Sequence, residues 1–177
     1  AEPALLMVIF VASLISATTA LPVISERLAA QTLVLYPSLA FTAVAFTMVL
    51  LAENARIPVD NPATHLELTM IHEAMLLEYS ARHLALLEWA AALKLFNYAC
   101  IGFALFVPWG ASTGEAGPGA LLLSVPLLGL KLLVAGIWLA ALETVSAKLR
   151  VFRAPEFLAT AFMFAVLGLL VHLLLGA

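Results

Sequence analysis

Residues 53–80 read ENARIPVDNPATHLELTMIHEAMLLEYS, and this stretch decides the fold because of what surrounds it. It gathers Glu53, Asp60, Glu67, Glu73 and Glu78 with Arg56, His65 and His72, and Glu88 follows just beyond. The chain around it is 64% hydrophobic and only 11% charged, with a mean hydropathy of +1.11. That balance is far from a soluble domain's and places the chain in a bilayer. An island of ionisable groups beside membrane helices points to a proton, ion or redox-partner role, because charge near hydrocarbon is costly to keep.

Working outward, the gaps between charges define the spans. Glu2 to Glu26 encloses 23 uncharged residues and Arg27 to Glu53 encloses 25. About 20 apolar residues cross a bilayer core, so both suffice. Further spans are expected over 84–107, carrying Glu88 and Lys94, and over 120–147, carrying Lys131 and Glu143. The last, 157–177, has His172 as its one titratable side chain, read as a core or interfacial histidine. The expected fold is therefore an all-α, polytopic membrane protein with five transmembrane helices in a single domain, 1–177. Segment 53–82 should form one extramembrane loop and helix, and 147–156 a second loop on the same side. That side collects Arg56, Arg82, Lys148, Arg150 and Arg153 against Arg27 opposite, so the positive-inside rule makes it cytoplasmic. Trp109 then belongs to the opposite interfacial belt.

Pro58 and Pro62 make 54–62 an extended loop. A short amphipathic helix is expected over 63–80, with Asn61 or Thr64 as its cap. Glu67 and Glu78 are eleven residues apart in the chain. At 100° per residue they return to within about 20° of one face, roughly 16 Å apart along the axis. Such acids suit proton stepping stones, and equally a solvated helix face. A kink is expected at Pro126, near Gly129. Lys94 and Lys131 fall inside spans, where a lysine costs about 2.5–3.5 kcal/mol at the helix centre and should find a partner. Glu88 and Glu143 are the expected counter-charges, giving a polar thread of Glu78, Glu88, Lys94, Lys131 and Glu143 or a pair of register-fixing ion pairs.

Motifs for bond-making chemistry are missing. His72-Glu73 begins like a zinc-protease helix, but position 76 is Leu. The single cysteine, Cys100, cannot form an internal disulfide or a cysteine cluster and reads as a small buried hydrophobe. No metal site and no nucleic-acid partner are expected.

Glu53, Arg56, Pro58, Asp60, Pro62, Glu67-Leu68 and Glu78-Tyr79-Ser80 together resemble the signature of the H subunit of respiratory complex I, the mitochondrial subunit-1 homologue. The wording is more similar still to that subunit's relative in energy-converting, membrane-bound [NiFe] hydrogenases, including formate hydrogenlyase. Val59, Asn61 and His65 depart from the complex I pattern in that direction, as does the longer Glu67–Glu78 spacing. LETVSAKLRVFRAPEF, residues 142–157, agrees. Members of the family have about eight helices, so the resemblance implies that this chain corresponds to the C-terminal five, with three preceding Ala1.

The resemblance implies a coupling subunit of a prokaryotic inner membrane, its motif loop docked on hydrogenase large and iron–sulfur subunits, beside antiporter-like membrane subunits in the lipid bilayer. The Ni–Fe centre and iron–sulfur clusters would belong to those partners, with no cofactor held by this chain. Quinone is the ligand in the complex I branch, but the loss of the aromatic at Val59 argues against it here. Carried over by position, Glu53, Arg56, Asp60, Glu67 and Glu78 are candidates for the coupling role, and the charge pattern adds Glu73, Glu88, Lys94, Lys131 and Glu143 to the expected coupling path. Arg56, Pro58, Pro62, His65, His72 and Tyr79 are candidates for docking or lining a cavity. The rival readings are a quinone-reducing complex I subunit, a passive membrane anchor and a stand-alone ion transporter.

Overall fold

The structure is a computed structural model that describes residues 2–30, 37–56, 59–60, 79–110, 118–145, 149–150 and 154–175. Apolar sequence with few charges leaves the backbone one way to satisfy its own polar groups in lipid, which is the helix. The described residues form α1 (Glu2–Ser16), α2 (Leu21–Ala30), α3 (Pro37–Glu53), α4 (Ala81–Phe106), α5 (Pro118–Val145) and α6 (Ala154–Leu175). Two two-residue strands complete them, β1 (Val59–Asp60) and β2 (Leu149–Arg150). The fold is all-α, with this one short strand pair joining the ends of helices.

The core is the bundle of α1, α3 and α6. Lipid tails offer no hydrophobic drive between apolar helices, so close packing needs small residues. Helix α6 supplies Ala161, Ala165 and Gly168 on its buried side, α1 supplies Ala4 and Ala12, and α3 supplies Ala45. A Cβ on Gly168 would lie 2.8 Å from Thr42 Cγ2 and 3.0 Å from the Ser38 carbonyl oxygen. Only glycine permits that approach. Thr42 spends its hydroxyl within α3, donating to the carbonyls of Ser38 and Leu39 at 3.0 Å each.

The expected single first span is instead two helices, α1 and α2, whose axes differ by 56°. Its break is closed by its own backbone. Thr18 N–H donates to Ser13 O at 3.1 Å and Ala17 N–H to Leu14 O at 3.2 Å, with Ala17 at φ 48°. This left-handed closure is the one glycine usually occupies. Arg27 of α2 donates back to the Ser16 carbonyl, satisfying a group that the end of α1 exposes. Arg27 thus staples the bend instead of serving only as a charge on the far side.

Among the described residues, α4, α6 and the Leu122–Val145 part of α5 are long and apolar enough to cross a membrane, and the bent α1–α2 pair would make a fourth. Helix α3, with 17 residues, measures about 25 Å against a core of about 30 Å. Helix α5 runs unbroken through Pro126. The expected helix over 63–80 falls largely on 61–78, outside the described residues, while Tyr79 and Ser80 are not helical. Ser80, at φ −124° and ψ 154°, leads into α4.

Candidate functional site

Helix α3 ends by the same device as α1. Arg56 N–H donates to Leu51 O at 2.9 Å and Ala55 N–H to Ala52 O at 3.3 Å, with Ala55 at φ 51°. Asn54 Nδ2 covers the Leu50 carbonyl at 2.8 Å. The tight closure projects Glu53 and Arg56, three residues apart, from the carbonyl end of α3.

Each finds a charge on another helix. Lys94 of α4 donates to Glu53 Oε2 at 2.7 Å and to the Glu53 backbone oxygen at 2.8 Å. Its ammonium therefore meets both a carboxylate and the negative end of the α3 dipole. Arg56 approaches Glu143 of α5 at 3.5 Å. These are the two ion pairs among the described residues, and together they tie the end of α3 to α4 and α5. The side chains are 25–44% exposed, so the pairs sit at a wet boundary and not in a sealed core. The backbone adds a third tie, since β1 pairs in parallel with β2, Val59 opposite Leu149 and Asp60 opposite Arg150.

The pairing differs from the sequence expectation in both lysines, for a geometric reason. Glu88 precedes Lys94 by six residues, which places them about 120° apart around α4. Glu88 is exposed and has no ion pair among the described residues. Lys131 precedes Glu143 by twelve residues, about 120° around and about 18 Å along α5. Lys131 turns to backbone instead, donating to Val107 O at 2.7 Å and Trp109 O at 2.5 Å beyond the end of α4. Of the expected thread, Lys94 and Glu143 join Glu53 and Arg56 in two ion pairs, Lys131 and Glu88 stand apart from them, and Glu78 lies outside the described residues.

Of the other candidates, Asp60 lies in β1 beside β2, and Tyr79 is exposed. Glu67, Glu73, Glu78, Pro58, Pro62, His65 and His72 lie outside the described residues. His172, in the last turn of α6, is partly buried, and its Nδ1 has no hydrogen-bond partner among the described residues. No group of three His, Cys, Asp or Glu among the described residues could hold a metal ion.

Behind the cluster, a cleft of about 460 Å³ lies between α3, α4 and α5. Its walls are apolar, Phe46, Leu50, Leu95, Phe103 and Leu139 among them. Sequence reasoning did not find it, since apolar residues on three helices give no signal of how loosely those helices pack. The geometry brings charges of alternating sign from three helices to one end of an apolar cleft. Neutralising any one of them unbalances its neighbour, which is what an electrostatic relay needs.

The chain matches the family model described as NADH dehydrogenase over residues 1–174. No curated protein and no solved structure matches it.

Proposed function

The chain belongs to the NADH dehydrogenase family, a family of complex I membrane subunits, and on that premise we propose a coupling role in a hydrogenase branch of it. It is a membrane subunit of a complex I-like oxidoreductase. Within that class, our reading is the membrane subunit of a [NiFe] hydrogenase of the formate hydrogenlyase type. Hydrogen chemistry in peripheral partners changes charge near the motif segment, and this subunit passes the change on as H⁺ or Na⁺ movement. The motif segment then faces the cytoplasm of a prokaryotic inner membrane, against hydrogenase large and iron–sulfur subunits, with antiporter-like subunits alongside in the bilayer.

The observation that carries the coupling part is the pairing of Glu53 with Lys94 and of Arg56 with Glu143. A passive anchor has no need to set its extramembrane motif against ionised side chains of two spans, where charge is expensive. The hydrogenase part rests on Val59, Asn61 and His65, which follow that branch's wording.

The test is gentle-detergent purification of the tagged complex, with mass spectrometry of its partners. A [NiFe] hydrogenase pair with antiporter-like subunits is the expected result. Partners resembling a quinone-reducing complex I would replace the hydrogenase reading, and a chain that purifies alone would remove both.

A further inference from the structure

Helix α5 has an inner face, yet none of its described side chains is buried. Leu132, Ala135, Leu139 and Leu142 recur every three or four residues, the spacing of one helix stripe, and all four line the cleft between α3, α4 and α5. Each stays only half-buried. In a close-packed interior such a stripe would interlock with its neighbours, so α5 stands off from the helices it faces. Both ends of the stripe are held. Just outside Leu132, Lys131 donates to the carbonyls of Val107 and Trp109 at 2.7 and 2.5 Å. Just outside Leu142, Glu143 meets Arg56 at 3.5 Å. These polar ties act as struts that keep the interval between them open.

The interval is apolar. Among the described residues, Thr47 and Trp138 carry the polar side-chain atoms of its lining. Thr47 spends its hydroxyl on Ala43 O at 2.8 Å within α3, and Trp138 stands exposed at the mouth. Water needs two or more polar partners, and apolar cavities take up apolar molecules instead. The interval is also narrow. Its lining runs about 15 Å along α5 and about 22 Å along α4, from Ala92 to Val107. About 460 Å³ spread over that length leaves a section about 5–6 Å across. A helix is about 10–12 Å wide with its side chains and does not enter. A chain of methylenes, whose carbons pack at about 4 Å, does. The mouth opens on lipid, since Phe96 and Trp138 line it and are 41% and 64% exposed on helices fit to cross the membrane.

We propose that one acyl chain of a bilayer phospholipid fills the cleft between α3, α4 and α5 and is a fixed part of the subunit. The lipid belongs to the leaflet on the motif side. Leu51 and Leu142 line the cleft close to Glu53 and Glu143, so the glycerol end lies level with the two ion pairs. The length agrees, because one leaflet supplies about 15 Å of a 30 Å core. A quinone head group would find no free donor for its carbonyls in the interior of the cleft. The lipid site goes beyond the coupling reading and does not depend on it.

The experiment uses the intact complex in nanodiscs of a phosphatidylethanolamine with a diazirine midway along one acyl chain. After irradiation, adducts are mapped by mass spectrometry. Lipid that merely surrounds the helices marks Leu133, which is 58% exposed and outside the cleft. A chain in the cleft should also mark Phe103 and Leu139, half-buried on facing walls. Gly136 lines the cleft, and an added Cβ there meets nothing within 4 Å, so Gly136→Phe can fill the space itself. That variant should lose the adducts on Phe103 and Leu139 and keep the one on Leu133. Gly129→Phe, on the same helix but outside the cleft, should keep all three.

Adducts on Leu133 alone in the wild-type complex would overturn the lipid site. A quinone or a partner segment seated in the cleft would give that pattern. Inner adducts unchanged by Gly136→Phe would overturn it as well. The wild-type pattern decides the matter by itself should Gly136→Phe fail to assemble.

Discussion

Lys94 takes Glu53 as its partner because Glu53 offers it two acceptors, a carboxylate and the last carbonyl of α3, at 2.7 and 2.8 Å. Glu88, on the same helix, points about 120° away. Removing one member leaves the other ionised at the edge of an apolar cleft, so single substitutions should each be costlier than the pair. In a double-mutant cycle of Glu53→Gln and Lys94→Gln, read by thermal inactivation of the complex, a coupling of about 0.5–1 kcal/mol is expected for this partly exposed pair. Strict additivity would remove this pair from the site. Ala55 is a second residue whose role is local. A left-handed conformation costs an L-residue about 1–2 kcal/mol, while glycine adds about 0.5–1 kcal/mol of chain entropy. Ala55→Gly should therefore stabilise the complex by up to about 1 kcal/mol, with activity kept, in the same assay. A drop in stability would contradict the closure seen at the end of α3.

The last three helices were legible from their long apolar runs, and α4, α5 and α6 fall on the expected spans, whereas the intervals between Glu2, Glu26, Arg27 and Glu53 misled, since Glu26 and Arg27 stand inside α2 and not at a boundary. The bend between α1 and α2 was not legible. Glycine is the signal for such a closure, and alanines, Ala17 and Ala55, take the left-handed position at the ends of α1 and α3 instead. Which charges meet was only half legible. Helical spacing alone excludes Glu88 for Lys94, but nothing in the order of residues announces that the end of α3 arrives there. The contact of α3 with α6 was equally hidden, because Ala161, Ala165 and Gly168 are ordinary in any apolar helix until their partner is known. That contact is testable at the same scale. Gly168→Val would push a branched side chain into Thr42 and the Ser38 carbonyl, and overpacking of this kind costs about 1–3 kcal/mol. Gly129→Ala, where an added Cβ meets nothing within 4 Å, is the control and should leave assembly unchanged. Equal effects of the two on thermal inactivation would argue against tight packing of α3 on α6.

Across the whole molecule, α5 is the element that joins two otherwise separate places. Near one end Glu143 meets Arg56, and β2 just beyond it meets β1. About 18 Å along the same helix, Lys131 holds the irregular end of α4. In between, α5 lines the apolar cleft, so its attachment is polar at two levels and loose elsewhere. This layout separates stability from transport. Sites more than about 10 Å apart without shared partners contribute to stability additively, within about 0.5 kcal/mol. Glu143→Gln and Lys131→Gln should therefore add in thermal inactivation, with Glu143→Gln contributing no more than about 1 kcal/mol, as befits a half-exposed pair. If both residues serve one ion path, ion movement should behave in the opposite way. Either substitution alone should stop it, and the double variant should be no worse than the single. Ion flux in vesicles, normalised to H₂ formed, makes the distinction. Two partial losses that multiply in the double variant would mean that the cluster and Lys131 belong to independent functions, and the path through α5 would have to be abandoned.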